Sequence, residues 1–356
     1  MSRAGALSVG ALVGVTSVVG LLLLPASGVA GRANAGLAGA PASNPLAGVR
    51  WGNYHSPTVD PTNDAPSAYY NLTDDPTYGA ILGQPRFRWF GPWNPIRDQD
   101  GGEKPGARNV VRYFIRTVRR GDPEVGVQVA AFRLVPWGHA ACRRLPTRGE
   151  RRAFRRWTRE FAKGVGAART ALVLQPDMPF ARCAPGRSRW ATAAIAWAAR
   201  LFGRLPRTTV YIDAGAADWA PARAMATMLR RSGIRHVRGF ALNVTHYDTT
   251  ARQVVYGRKI LSRLRRSGIR GKGFVVNTAQ NGRPFRFQRA PRAFKSGLAC
   301  ADDSSRRCTA LGLPPTTSTG QRGVDAYLWI GRPWLANTRV RGPGELLSLI
   351  RSSPHF

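Results

Sequence analysis

Residues 168–177, with the sequence ARTALVLQPD, constrain the fold more than any other stretch of the chain. A nearly continuous apolar run that ends in turn residues is typical of a buried strand in a parallel sheet, because both faces of such a strand are covered. In α/β folds, ligands and catalytic groups collect in the loops that follow the strands. Asp177 is therefore a candidate functional carboxylate, although a lone Asp at a strand end more often only caps a turn.

The same alternation of strand and helix recurs along the chain. Strands are predicted at 48–51, 87–90, 125–135, 168–175, 208–212, 237–244, 273–276 and 325–330, and helices at 107–119, 150–165, 189–205, 220–232, 251–267 and 344–352. Seven or eight strands separated by helices predict a parallel sheet. We expect a distorted, TIM-like β/α barrel of about seven parallel strands in preference to a doubly wound sheet. No Gly-rich phosphate loop follows the first strand, which argues against a nucleotide site.

The N-terminal residues predict export. Arg3, an apolar run over residues 4–25 and small residues up to position 35 form the pattern of a secretory signal peptide, with a retained membrane anchor as the alternative. Residues 36–48 are rich in Gly, Ala, Pro and Ser and predict a flexible lead-in, and residues 49–356 predict a single barrel domain. No later segment is apolar enough to span a bilayer. We expect a secreted monomer.

Four cysteines in an exported chain predict two disulfides, which three pairings could form. Cys142 and Cys183 each follow a predicted strand end and could join neighbouring loops. Cys300 and Cys308 would close a local loop. No His or Cys spacing resembles a metal site, so neither a metal nor a cofactor is expected.

The charge is strongly basic, with 54 Lys and Arg against 19 Asp and Glu and a formal net charge of +35. Such a surface attracts nucleic acid, anionic membranes or acidic wall polymers. The arginines are spread along helices and loops and are not gathered with aromatic residues in one module. A specific nucleic-acid function is therefore not predicted.

Aromatic and polar residues stand together at the ends of the predicted strands. They are Trp89, Trp93, Trp137, Asp177, Asp213, Trp219, Asn243, Asn277, Trp329 and Trp334. Flat aromatic rings beside carboxylates and amides suit sugars, whose apolar faces stack while their hydroxyls hydrogen-bond. The alternative is that several of these tryptophans belong to the core, as expected for Trp157, Trp190 and Trp197 on helices.

Several of these segments carry a resemblance in a fixed order. They read NPLAG at 44–48, RWFG at 88–91, ALVLQPD at 171–177, VYIDAG at 210–215, GFALNV at 239–244, PPTTSTG at 314–320 and DAYLWI at 325–330. Over about residues 44–340 the chain resembles the family 6 glycoside hydrolases, the secreted cellobiohydrolases and β-1,4-endoglucanases. The resemblance implies a distorted β/α barrel whose loops shape a cellulose cleft or tunnel, and hydrolysis of β-1,4-glucan with inversion.

The resemblance also implies roles for individual residues. Asp177 matches the family's general acid, and Asp213, Trp219 and Asn243 match its sugar-contacting residues. Trp89, Trp137 and Trp329 join the predicted substrate-binding set as strand-end tryptophans. Cys142 is the nearest counterpart of a family cysteine that bridges to the loop beyond the acid, which makes Cys183 its partner.

Six positions depart from the family pattern. Arg133, His139, Ala216, Gly331, Leu335 and Asn337 stand where the family has a Tyr, a helper Asp, a His, a Lys, a Glu and the base Asp. An amide at the base position cannot accept the proton of the attacking water, and a protonated His139 would lower the pKa of the acid where a carboxylate would raise it. Asp218, beside Trp219, is the carboxylate nearest in sequence that could hold that water.

Three interpretations follow from these residues. The first is a secreted hydrolase of β-1,4-glucan or a related polysaccharide, with Asp177 as the acid and Asp218 or a water chain replacing the base. The second is a pseudoenzyme that binds polysaccharide or cell wall without cleaving it. The third is a hydrolase retuned to an acidic wall glycan, in which Arg133 pairs with uronate carboxylates.

Overall fold

A parallel sheet whose strands follow one another in chain order forms the centre of the molecule. The computed structural model describes residues 43–54, 83–246, 248–282 and 311–331, together with residues 353 and 355. The strands in this part are β1 (Arg88–Phe90), β2 (Val127–Ala131), β3 (Thr170–Leu174), β4 (Thr208–Asp213), β5 (Gly239–Leu242), β6 (Gly273–Asn277) and β7 (Val324–Leu328). The helices are α1 (Ala107–Arg119), α2 (Ala140–Arg143), α3 (Arg148–Val165), α4 (Trp190–Phe202), α5 (Ala222–Arg231) and α6 (Thr250–Arg266).

The sheet curls until its two edges meet. Each strand pairs in parallel with its neighbours in the order β1 to β7. Arg86, just before β1, then bridges to Trp329, just after β7, and the N–H of Phe87 donates to the Trp329 carbonyl at 2.9 Å. Closure by a short contact instead of a full ladder makes the barrel distorted. The predicted fold class is confirmed.

Strand residues alternate between the barrel interior and the helical layer. The inward set is Ala130, Ala171, Val173, Tyr211, Ala241, Val275, Ala326 and Leu328. The outward set, which packs with the helices, is Val129, Leu172, Leu174, Val210, Ile212, Phe240, Phe274 and Val276. Both faces are apolar because both are covered, which explains why these strands have no polar face in the sequence.

The helices other than α2 bury one stripe each and expose arginines on the other face. In α1, Val111, Phe114 and Val118 lie in the core, while Arg112 and Arg116 are exposed. The bounds predicted for this helix, 107–119, are confirmed. Helix α3 begins two residues before the predicted position. Thr147 caps it in a capping box with Glu150, which fixes the start of the helix.

Two strand predictions needed correction. The predicted strand at 125–135 ends at Ala131, because the N–H groups of Arg133 and Leu134 donate to Oε1 of Gln175 and leave the ladder. The predicted first strand at 48–51 was wrong. Only Trp51 forms a bridge there, to Gly126.

Several predictions lie outside the described residues. They are the signal peptide at 1–35, Cys300 and Cys308, Trp334, Leu335 and Asn337, and the helix at 344–352. Within the part of the chain that the structure describes, no helix is long and apolar enough to cross a bilayer.

A buried charge cluster ties the N-terminal ends of the strands together. Asp325, near the start of β7, accepts two hydrogen bonds from the Arg238 guanidinium at 2.8 and 2.9 Å. It also accepts one from the Tyr211 hydroxyl at 2.8 Å. The side chains of Arg238 and Asp325 are 15% and 4% exposed, so this pair is largely shielded from water. The cluster links β4, the residue before β5 and β7 at the barrel end opposite Asp177.

Removing the Asp325 carboxylate should destabilise the barrel strongly. We expect Asp325→Ala to lower the free energy of unfolding by about 3–5 kcal/mol, since it leaves a buried guanidinium without its counter-ion. Denaturant unfolding of Asp122→Ala provides the control, because Asp122 forms an exposed pair with Arg50. That variant should unfold close to wild type. Equal and small effects of the two substitutions would contradict this account of the cluster.

Candidate active site

Four polar side chains form a layer inside the barrel at the C-terminal ends of the strands. Gln175, Asp213, Asn243 and Asn277 each continue the inward alternation of their strand, and each is at most 2% exposed. A buried polar side chain must be hydrogen-bonded to be stable. In this layer the partners are backbone groups of the loops that leave the barrel.

Each member of the layer fixes a different loop. Gln175 holds the loop after β2 through the Arg133 and Leu134 N–H groups. Asn243 exchanges two hydrogen bonds with the backbone of Asp248. Asn277 accepts from the Ile330 and Gly331 N–H groups at 2.9 and 3.1 Å. The layer therefore sets the shape of the surface above it.

Asp213 holds the candidate acid. Its Oδ2 accepts the Asp177 backbone N–H at 2.8 Å, and its Oδ1 accepts the Gly215 N–H at 2.9 Å. Asp177 takes a left-handed backbone conformation, with φ of 63°, which Asp tolerates better than most residues. Burial raises the pKa of Asp213 to about 8, with a further contribution from the negative charge of Asp177. Asp213 is therefore largely uncharged at neutral pH.

Asp177 lies above this layer with its side chain half-buried. Its Oδ1 accepts a hydrogen bond from Oγ1 of Thr245 at 2.7 Å. Burial raises the pKa of Asp177, while the Thr245 hydrogen bond and the charge of His139 act to lower it. The net direction is upward. A carboxyl group that keeps its proton to higher pH is suited to act as a general acid.

The disulfide Cys142–Cys183 joins the loops that flank Asp177. It links the short helix α2, in the loop after β2, to the turn Met178–Cys183 after β3, with the two Cα atoms 4.8 Å apart. The pairing predicted from the resemblance is present in the structure. Next to it, the His139 ring contacts Phe180 with centroids 5.1 Å apart. A narrow crevice between these loops has Asp177, Phe180 and Trp137 in its wall.

An aromatic cluster surrounds Phe132 at the ends of β1 and β2. The rings of Trp89, Trp93 and Trp137 lie 5.7, 6.2 and 5.4 Å from that of Phe132. Trp93 and Trp137 are 46% and 43% exposed, which is unusual for tryptophan. Trp89 is partly buried, and its indole N–H donates to the Ile330 carbonyl. The cluster offers flat apolar faces at the same end of the barrel as Asp177.

Trp219 is half-buried on the other side of Asp177. Its ring contacts those of Phe180 and His246, with centroids 5.7 and 5.3 Å away. Gly215 lies beneath it with φ of 67°, and a Cβ there would be 2.7 Å from the indole. Only glycine combines this conformation with this close approach. Ala216, where the family has a His, is fully buried.

The Asp218 carboxylate contacts His246 instead of standing free. Both of its carboxylate oxygens lie 3.0 Å from Nε2 of His246, and the two side chains are only 7% and 3% exposed. Burial tends to raise the pKa of Asp218, but the hydrogen bond and charge of His246 outweigh it and lower the pKa. Asp218 is therefore ionised at neutral pH.

Other predicted contacts are placed differently from expectation. Asn243 and Trp329 are completely buried, and the Trp329 indole donates to the Leu313 carbonyl at 3.0 Å, so both are core residues in this structure. Both oxygens of Asp213 serve backbone N–H groups. Arg133 is partly desolvated, which lowers its pKa, and the one carboxylate whose charge acts on it is Glu150 at the start of α3.

Thr245 and His246 were missed by the sequence analysis. They directly follow Asn243-Val244 at the end of β5, and this position was the only available signal. Gln175 was treated as part of a strand and not as a loop anchor. Among the described residues no group of three or more His, Cys, Asp or Glu side chains could hold a metal ion.

The pH dependence of stability should report the buried Asp213. Its folded pKa of about 8 exceeds the ordinary value of 3.8, so its contribution is fully present below pH 4 and is lost as the pH rises towards 8. We expect the melting temperature to fall over this range, and to fall less in Asp213→Asn, which cannot ionise. Parallel pH profiles for the two proteins would refute this assignment.

Comparison with known proteins agrees with this architecture. The sequence model for "Glycosyl hydrolases family 6" matches residues 79–335. Endoglucanase 1 of Streptomyces halstedii is 30% identical over 257 residues, covering 71% of each chain. Endoglucanase A of Thermobispora bispora is 32% identical over 197 residues, which are 54% of this chain and 40% of that protein.

Solved structures show the same fold. The endoglucanase Cel6 from Mycobacterium tuberculosis, determined with a thio-linked methyl-cellobiosyl cellobioside, superposes with a TM-score of 0.67. The match covers 87% of this chain and 99% of that one, at 24% sequence identity. At this identity the likeness concerns the fold alone.

Proposed function

This chain belongs to family 6 of the glycosyl hydrolases, and we propose from this that it hydrolyses β-1,4-glucan or a related polysaccharide with inversion at the anomeric carbon. The observation that carries the proposal is Asp177. It is a half-buried carboxyl group with a raised pKa at the mouth of the barrel, held in place from below by Asp213. Glycoside hydrolysis requires an acid of this kind at the leaving oxygen.

Asp177 would donate its proton to the glycosidic oxygen as the bond breaks. The Thr245 hydroxyl, which donates to Oδ1, orients the carboxyl group and stabilises the anion that remains after the transfer. The neutral state of Asp213 adds no second negative charge beneath that anion. The polar layer is thus suited to support one charge change at Asp177.

An inverting reaction also needs an acceptor for the proton of the attacking water. Of the carboxylates Asp177, Asp213, Asp218 and Asp248 near this end of the barrel, only Asp218 has a lowered pKa. We assign Asp218 the role of terminal acceptor, reached through a chain of water because its carboxylate is almost fully buried. This arrangement would replace the family base, whose position is Asn337.

The exposed tryptophans would hold the polysaccharide. Trp137 and Trp93 present apolar faces that can stack on sugar rings, and Trp219 offers a third surface beside Asp177. In this arrangement, tryptophan rings would lie on both sides of Asp177. A chain of several sugars could then cross the mouth of the barrel.

Asp177→Asn should abolish hydrolysis while keeping glycan binding. We expect reducing-end release from β-1,4-glucan to fall at least about 10²–10⁴-fold, the usual contribution of a general acid. Asp122→Asn, which removes an exposed carboxylate before β2, serves as the matched control and should retain wild-type activity. Equal activity of Asp177→Asn and wild type would exclude this acid.

A second candidate function is polysaccharide binding without cleavage. It is favoured by the positive charge of His139, which acts to lower the pKa of Asp177, and by Asn337 at the family's base position. In that case neither wild type nor Asp177→Asn would release reducing ends. Trp137→Ala would still weaken binding to the glycan.

The helical exterior supports a further proposal, retention of the exported protein on acidic wall polymers. Helices α1, α5 and α6 contain no Asp or Glu. Their exposed basic residues include Arg108, Arg112, Arg116, Arg223, Arg230, Arg258, Lys259 and Arg263. Guanidinium groups bind carboxylates and phosphates well, and these residues lie on the helical layer outside the strands.

Binding to an acidic polysaccharide should depend steeply on salt. We expect retention on polygalacturonate beads at about 0.1 M salt and release near 1 M, where the screening length falls from about 10 to 3 Å. The triple variant Arg108→Gln, Arg112→Gln, Arg116→Gln should elute at lower salt. Retention that is equal on neutral glucan beads, or insensitive to salt, would contradict an electrostatic anchor.

A further inference from the structure

The loops after β4 and β5 are joined above the barrel by a buried contact between an aspartate and a histidine. Asp218 lies in the first loop and His246 in the second, with both carboxylate oxygens 3.0 Å from Nε2. The two side chains are almost fully buried, so the hydrogen bond between them is shielded from water. The ring of Trp219 packs against the His246 ring and covers the pair from one side. The pair thus links the outer parts of the two loops, in addition to the contacts at their bases.

The residue before His246 forms a hydrogen bond with the candidate acid. Thr245 donates its hydroxyl hydrogen to Oδ1 of Asp177 at 2.7 Å. Thr245 and His246 are consecutive, so the position of one backbone segment determines both contacts. A shift of this segment by about 1 Å would break the Thr245 bond, since hydrogen bonds weaken beyond about 3.2 Å.

We propose that the Asp218–His246 pair positions the general acid: by fastening the loop after β5 to the loop after β4, it keeps the Thr245 hydroxyl on the Asp177 carboxyl group. Thr245 and His246 are positioning residues in this scheme. The catalytic meaning of the proposal rests on the proposed function, but the geometric link does not.

Other contacts keep the two loops folded without this pair. At their bases, the Asn243 N–H donates to the Gly215 carbonyl at 2.7 Å. On the outer side, the Tyr256 hydroxyl donates to the Ala220 carbonyl at 2.7 Å. Neither contact uses the Asp218 or His246 side chain, so loss of the pair should free the segment that carries Thr245 without unfolding the loops.

The groups around Asp177 and Asp218 determine how the pKa of Asp177 should change when Asp218 is substituted. The charged or titratable groups that interact with Asp177 are His139 and Asp213, and those that interact with Asp218 are His246, Arg252, Asp248 and Tyr256. If Asp218 affected Asp177 only through its negative charge, Asp218→Asn would lower the pKa of Asp177. If the pair holds Thr245 in place, the same substitution would raise that pKa, because a hydrogen bond to the anion is lost.

The test is a ¹³C NMR titration of the aspartate side-chain carboxyl carbons, with the Asp177 signal assigned from its absence in Asp177→Asn. We expect the Asp177 pKa to rise in Thr245→Val and in Asp218→Asn. It should stay at the wild-type value in Thr245→Ser, which keeps the hydroxyl. In the double variant Asp218→Asn, Thr245→Val, the substitution of Asp218 should add no further rise, since it acts through Thr245.

An unchanged or lowered Asp177 pKa in Asp218→Asn would overturn the proposal, as would additive rises in the double variant. A rise that disappears in the Thr245→Val background supports it. The titration needs no turnover, so it gives the same answer if the protein binds glycan without cleaving it. Where activity is present, the alkaline limb of the kcat/KM profile should move to higher pH in Thr245→Val, because the acid must be protonated.

Discussion

Where the chain leaves the buried parallel barrel, its backbone N–H and C=O groups need hydrogen-bond partners. The rest of this structure depends on how that need is met. Apolar side chains fill the barrel up to its last layer, and Gln175, Asp213, Asn243 and Asn277 replace them there. Without these four, several loop N–H groups would be buried without partners, each at a cost of about 1–3 kcal/mol. The layer therefore stabilises the loops and at the same time determines their course.

Asp177 owes its properties to this layer. Asp213 accepts a hydrogen bond from the Asp177 backbone N–H. The Asp177 carboxyl group is partly desolvated, accepts a hydrogen bond from Thr245 and interacts electrostatically with His139. The same constraint applies to Asp213 and Asn243, which the family resemblance matches to sugar-contacting residues. Asn243 and Asp213 point into the layer, and their hydrogen-bonding capacity is used by backbone groups.

The fold could be predicted from the sequence because hydrophobic periodicity and strand-helix alternation are local signals. The bounds of α1 and the buried strand before Asp177 follow from such patterns. The end of β2 could not be predicted, since it depends on Gln175, more than 40 residues away along the chain. The Asp218–His246 pair and the Thr245 contact were unpredictable for the same reason, because only the packing of separate loops brings them together. Likewise, Trp137 is exposed and Trp329 is fully buried, and no local sequence pattern predicts this difference.

The stereochemistry of the first product tests directly whether the protein is an inverting hydrolase with Asp177 as its acid. If Asp177 acts as the acid and water attacks from the opposite face, each cleavage of a β-1,4-glucan releases a new reducing end in the α configuration. Proton NMR of a soluble cello-oligosaccharide, recorded in the first minutes before mutarotation, distinguishes the two anomers. We expect the α-anomer to appear first and then to equilibrate with the β-anomer. Initial formation of the β-anomer, or no new reducing end with the glycan still bound, would contradict it.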